Sequence, residues 1–148
     1  MSNRRQPGGK TMIQRPLILA VDDEPNILKM VSVNLSLEGY KIITASDGES
    51  ALTLFDKYTP DLIILDIMMP GIDGFEVIDR IRKRGSSVPI IILSGRDDIN
   101  SLRDALEKGA DDYINKPFNI HLLLARVRSK IRRSGYPRQT NSGSMLVS

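Results

Sequence analysis

Polar residues that can do chemistry appear at four places, each following an apolar run. Asp22, Asp23 and Glu24 follow Leu17–Val21, Asp66 follows Leu62–Leu65, Ser94 follows Ile90–Leu93, and Lys116-Pro117 follows Tyr113–Ile114. If the three continuous apolar runs are neighbouring strands, these groups converge on one cleft of carboxylates, a hydroxyl and an ammonium. Two like charges about 4 Å apart repel by roughly 4 kcal/mol at an effective dielectric of 20. Such a cleft must hold protons or recruit a cation. Hard oxygen donors without His or Cys favour Mg2+, whose shell is often completed by a phosphoryl oxygen. A carboxylate nucleophile beside that ion, a lysine and a hydroxyl suits phosphoryl transfer, and the product is an aspartyl phosphate. Taken singly, an Asp after a strand is more often a helix cap or turn residue. Four strand ends with matching types carry the inference.

The elements that must position these groups are legible from hydrophobic period and punctuation. Unbroken apolar runs of strand length suit a sheet covered on both faces, and the mixed Ile42–Ala45 and Tyr113–Ile114 suit edge strands. Pro25 fits a first helical position and Gly39 the cap that ends that helix. Asp73 with Glu76 reads as a capping box, closed off at Gly85. Asp97 or Asp98 caps a fourth helix ending at Gly109. In the last helix Ile120, Leu123, Leu124, Val127 and Ile131 share a face. Five β-then-α units predict an α/β fold: a doubly wound, five-stranded parallel sheet with helices on both faces. Ligands bind such sheets beyond the carboxyl ends of the strands, where the four polar groups lie.

Composition narrows the class. With 148 residues the chain has room for one full core. No apolar run approaches the roughly 20 residues needed to span a bilayer, and no signal peptide follows the basic start. Without cysteine there is no disulfide, thiolate nucleophile or cysteine metal site. These features predict a soluble, cytoplasmic protein. Residues 16–125 hold 11 Lys or Arg against 18 acids, a net charge of −7, so the basic pI of 9.3 comes from the ends. Residues 1–15 and 134–148 lack periodicity and read as disordered tail or linker around a domain at 16–133. No segment forms a recognition helix, so direct nucleic-acid binding by this domain is not expected.

Together, Val21-Asp22-Asp23-Glu24-Pro25, Leu65-Asp66-Ile67-Met68-Met69-Pro70-Gly71, Asp73-Gly74, Leu93-Ser94-Gly95, Gly109-Ala110-Asp111-Asp112-Tyr113 and Lys116-Pro117-Phe118 form a specific set. From about Pro16 to Arg133 the chain resembles the receiver domains of two-component response regulators. The resemblance implies a flavodoxin-like sheet of order 2-1-3-4-5 and a phosphorylation-activated switch. Asp66 would accept the phosphoryl group from a sensor histidine kinase or phosphotransfer protein. Asp23, Asp66 and the backbone carbonyl of Met68 would bind Mg2+, with Asp22 acting through water. Lys116 would pair with Asp66 and then with the phosphoryl group. Ser94 would move to the phosphoryl oxygen and Tyr113 would turn inward. A cis Lys116–Pro117 bond is also implied. The sole histidine, His121, lies on the last helix, away from the cleft, so the donor is external.

The chain departs from the usual pattern in places. Ser94 stands where threonine is commoner, and Gly95 where alanine is usual. The Ala110–Tyr113 and Leu124–Arg128 segments look like the winged-helix, DNA-binding subfamily, which dimerises through charged pairs on the face made by helix 4, strand 5 and helix 5. Asp112 and Arg126 match one such pair, but Leu102 and Leu122 replace another. That leaves either a homodimer held by apolar contact or a different partner. The expected output is transcriptional, through a DNA-binding domain missing from the chain, with a stand-alone regulator as the alternative. An enzymatic alternative is a Mg2+-dependent phosphatase with an aspartate nucleophile. Such enzymes carry a second acid two residues on, and here that residue is Met68, which cannot transfer protons. A nucleotide- or flavin-binding module is disfavoured because no glycine-rich loop follows the first strand. The expectation is a switch with at most self-phosphorylation and self-dephosphorylation.

Overall fold

The computed structural model describes residues 15–95 and 99–133, in which five strands alternate with five helices. In chain order they are β1 (Leu17–Val21), α1 (Pro25–Leu37), β2 (Lys41–Ala45), α2 (Gly48–Tyr58), β3 (Leu62–Leu65), α3 (Gly74–Lys83), β4 (Ile90–Ser94), α4 (Ile99–Lys108), β5 (Asp112–Asn115) and α5 (Ile120–Arg133). The sheet is wholly parallel and runs β2-β1-β3-β4-β5, as expected. The tails read at 1–15 and 134–148, apart from Arg15, and the helix cap read at Asp97 or Asp98, lie outside the described residues.

Strand alternation divides the core into two layers. Leu19, Val21, Ile63, Leu65 and Ile92 pack beneath α2, α3 and α4, against Phe55, Val77, Ile81 and Ala105. Their neighbours Ile18, Ala20, Leu62, Ile64 and Ile91 pack beneath α1 and α5, against Leu35, Leu123 and Val127. Both faces of the inner strands are therefore covered, which is why β1, β3 and β4 read as unbroken apolar runs. The mixed strands β2 and β5 take the two edges.

The helix ends follow the punctuation, with one difference. Gly39 and Gly85 lie just past α1 and α3 at φ of +99° and +83°, where a side chain would be strained. Asp73 accepts the Glu76 N–H at 3.0 Å, but the other half of the expected capping box does not form. The Glu76 carboxylate pairs instead with Arg80 Nε one turn on, at 2.9 Å. At the end of the sheet opposite the strand C-termini, Arg82 donates to the carbonyls of Gly109 (2.6 Å) and Val88 (2.7 Å) and meets Asp111 at 3.1 Å. This clamp ties α3 to the turn between α4 and β5.

Because the inner strands are sealed on both faces, a cavity there cannot refill with water. Ile64→Ala is expected to lower unfolding stability by about 2–5 kcal/mol. Leu37→Ala, at a residue 80% exposed, should change it by less than about 0.5 kcal/mol. Urea unfolding of both variants checks the contrast.

Candidate functional site

Parallel pairing carries the expected residues to one end of the sheet. The Asp66 N–H donates to Val21 O at 3.0 Å, which sets the residue after β3 beside the residue after β1. Asp22 and Asp66 are thus buried side by side, 2% and 4% exposed, with exposed Asp23 next to them. One carboxylate oxygen from each of Asp22, Asp23 and Asp66 lies within 4.8 Å of the others. The Lys116 N–H donates to Ser94 O at 2.8 Å, which brings β5's trailing residue to the mouth of the same cleft. Lys116 Nζ stands 2.7 Å from Asp22 Oδ2, 3.3 Å from Glu24 Oε1 and 3.4 Å from Asp66 Oδ2. The Lys116–Pro117 bond is cis.

The remaining expected residues fall partly beside this group and partly elsewhere on β5, α4 and α5. Met68 donates its backbone N–H to Asp66 Oδ1 at 3.2 Å, while its side chain is exposed. Ser94 is fully buried at the end of β4. Tyr113 is half-buried on β5, against the layer formed with α2, α3 and α4. Asp112 and Arg126 meet within the chain at 2.5 Å, and Lys130 stands 3.9 Å from the same Asp112 carboxylate. Leu102 on α4 and Leu122 on α5 are exposed, with Ile99 and Leu106 also exposed on α4.

Two residues gain roles that sequence reasoning did not assign. Glu24 is the N-cap of α1 but makes no side-chain cap; its carboxylate turns to Lys116 instead. Asp22 Oδ1 accepts the Glu24 N–H at 2.9 Å, so the aspartate that might have capped the helix fixes the turn before it. Gly74 opens α3, and a Cβ there would fall 2.6 Å from Asp66 O and 2.7 Å from Ile67 Cα. Both are backbone atoms, so this position holds the loop after Asp66 against the helix and admits no side chain. The Asp73-Gly74 pair was visible as a motif, but the contact that requires the glycine joins residues eight apart.

Burial raises the Asp66 pKa from 3.8 to about 6, the neighbouring Asp22 charge adds to the rise, and Lys116 and the Met68 N–H oppose it. Burial works against the Lys116 ammonium, yet its hydrogen bond to Asp22 and the charges of Asp66, Asp22 and Glu24 prevail, so its pKa lies above the ordinary lysine value. A divalent cation fits this donor set. Three oxygen donors converge without nitrogen or sulfur, and those of Asp22 and Asp66 are buried.

Comparison with known proteins points the same way. Residues 18–128 match the response regulator receiver domain family. The chain is 50% identical over 117 residues to a probable transcriptional regulator ycf27 of Guillardia theta, covering 79% of this chain and 46% of that one. It is 41% identical over 119 residues to the transcriptional regulatory protein TrcR of Mycobacterium tuberculosis, covering 80% and 46%. The chain spans about half the length of the curated relatives it matches. Among solved structures, the Francisella response regulator 1452 receiver domain superposes with a TM-score of 0.78 at 34% identity, covering 81% of this chain and 99% of that one. Vibrio cholerae chemotaxis protein CheY4 gives 0.75 at 34% identity, covering 78% and 98%.

The raised Asp66 pKa has a consequence for stability. Between pH 3.8 and about 6 the folded protein holds a proton that the unfolded chain has released, so stability declines as pH rises through that window. A shift of about two units corresponds to about 3 kcal/mol. Asp66→Asn has no such charge. In chelator, the variant is therefore expected to gain stability over the parent progressively from about pH 4 to pH 6, and millimolar Mg2+ should narrow the gap by favouring the parent. Denaturant unfolding at several pH values checks this, and a gap that stays flat across the window counts against a buried, destabilised carboxylate.

Proposed function

The chain belongs to the response regulator receiver domain family, and from that premise we propose that Asp66 is its phosphoacceptor, taking a phosphoryl group from a phosphohistidine on a sensor histidine kinase or phosphotransfer protein. The observation that supports this best is the single cleft in which Asp22, Asp23 and Asp66 share one lysine. An Asp66 oxygen attacks phosphorus as the bond to the imidazole nitrogen breaks, and the imidazole leaves. Mg2+, when bound, offsets the acidic charge and binds a phosphoryl oxygen. Asp23, Asp66 and the Met68 carbonyl would hold it, with Asp22 acting through water. Lys116 transfers its contact from Asp66 to the new phosphoryl oxygens. The Ser94 hydroxyl donates to one of these oxygens, and Tyr113 turns into the space vacated. No acid stands two residues after Asp66 to activate water, so the phosphoryl group is held as a signal and no separate substrate turns over.

Incubating the protein with Mg2+ and acetyl phosphate, then measuring intact mass, is expected to show one added phosphoryl group. The addition should be absent in chelator and in Asp66→Asn. A modification that survives the substitution would place the acceptor elsewhere.

The output follows the curated relatives, which are named transcriptional regulators, and acts in the cytoplasm. The message leaves through the face of α4, β5 and α5, whose helices expose Ile99, Leu102 and Leu106 on α4 and Leu122 on α5. Asp112 and Arg126 are paired within the chain at this face. The apolar residues therefore supply the contact in a phosphorylation-dependent homodimer. Phosphorylated protein should elute as a dimer in sizing experiments, and Leu102→Asp should return it to monomer while leaving phosphoryl uptake unchanged. A monomer in both phosphorylation states would assign the face to another partner.

A further inference from the structure

Glu24 is placed to control the lysine of the site without touching the acceptor. Its backbone is fixed, because its N–H donates to buried Asp22 Oδ1 at 2.9 Å and its carbonyl accepts the first bonds of α1, from Ile27 and Leu28. The Glu24 side chain makes no cap hydrogen bond to the first turn of α1. That carboxylate instead reaches Lys116 Nζ at 3.3 Å, nearly the 3.4 Å that separates Nζ from Asp66 Oδ2. An ammonium has three N–H donors. Asp22, Glu24 and Asp66 supply three acceptor carboxylates around it, at 2.7, 3.3 and 3.4 Å. The Lys116 backbone is tied to Ser94 O, so redistribution of these contacts falls to the side chain.

Resting on the phosphoacceptor reading, we infer that Glu24 is a positioning residue that competes with Asp66 for Lys116 and so slows phosphoryl uptake. Asp22 is buried and lies nearest to Nζ, at 2.7 Å. Glu24 is the exposed member of the three, and its pull on Nζ opposes the turn by which Lys116 leaves Asp66 for the incoming phosphoryl oxygens. In uptake from acetyl phosphate, a bond forms between an Asp66 oxygen and phosphorus while the bond from phosphorus to the acetate oxygen breaks, and acetate leaves with the electron pair. Negative charge builds on the phosphoryl oxygens during this step, where a freed Lys116 donor stabilises it.

The test measures uptake rate against acetyl phosphate concentration at saturating Mg2+ in the parent, Glu24→Gln and Glu24→Asp. An exposed ion pair of this kind converts to roughly a two- to five-fold effect. Both variants are expected to be faster than the parent by about that factor, because Gln removes the charge and Asp keeps it but falls short of Nζ. The gain should vanish when either substitution is made with Lys116→Ala, a control that a general change in folding would not satisfy. Equal rates in the parent and both variants overturn the competition. So does a gain confined to Glu24→Gln and abolished by salt, which is repulsion of the anionic donor. A parent that takes up no phosphoryl group overturns the phosphoacceptor reading itself, and this inference falls with it.

Discussion

Two buried carboxylates side by side, answered by a single ammonium, form the constraint around which this molecule is built. Asp22 and Asp66 are each almost wholly removed from water, and their mutual repulsion is met by Lys116 from a different strand end. The pair is tolerable only while Lys116 stays in place, and Lys116 stays only while β4 and β5 keep their register. The cost is visible in the Asp66 pKa, which burial and the Asp22 charge raise to about 6. A site assembled to minimise its own energy would have replaced one acid with a neutral residue.

The rest of the fold keeps this arrangement rigid. The three inner strands are sealed by helices on both sides, so the residues that leave them start from fixed points. Gly74 lets α3 begin against the backbone of Asp66 and Ile67, which holds the loop after Asp66 close to the helix. At the far end, Arg82 gathers the carbonyls of Gly109 and Val88 and holds the turn that leads into β5. The Arg82 contacts lie away from the cleft and the Gly74 contact lies at its floor, yet each limits how the groups in it can relax.

Much of this was legible because it depends on short-range patterns. The apolar runs gave the inner strands, the mixed runs gave the edges, and residues at strand ends gave Asp22, Asp66, Ser94 and Lys116. What escaped depends on distances between segments remote in sequence. The Glu76 carboxylate could equally close the capping box or meet Arg80, and the sequence holds both partners. Glu24 looked like one acid in a cluster of three, because its pairing with Lys116 crosses 92 positions. Gly74 stood only as part of the Asp73-Gly74 motif, because the clash that requires glycine involves the backbone of Asp66 and Ile67.

The path by which the cleft speaks to the surface follows from alternation along β5. Tyr113 packs into the layer with α2, α3 and α4, whereas Ile114 packs into the layer with α1 and α5. Asp112 is engaged with Arg126 and Lys130 of α5. Buried Leu123, Leu124, Val127 and Ile131 hold α5 down along its length, while α4 buries only Ser101 and Ala105. In the proposed switch, a turn of Tyr113 toward Ser94 therefore disturbs packing on the α4 side first, where little apolar surface resists movement. The same helix carries Ile99, Leu102 and Leu106 outward. A helix that buries only Ser101 and Ala105 would thus present the apolar surface that a partner meets in the proposed switch.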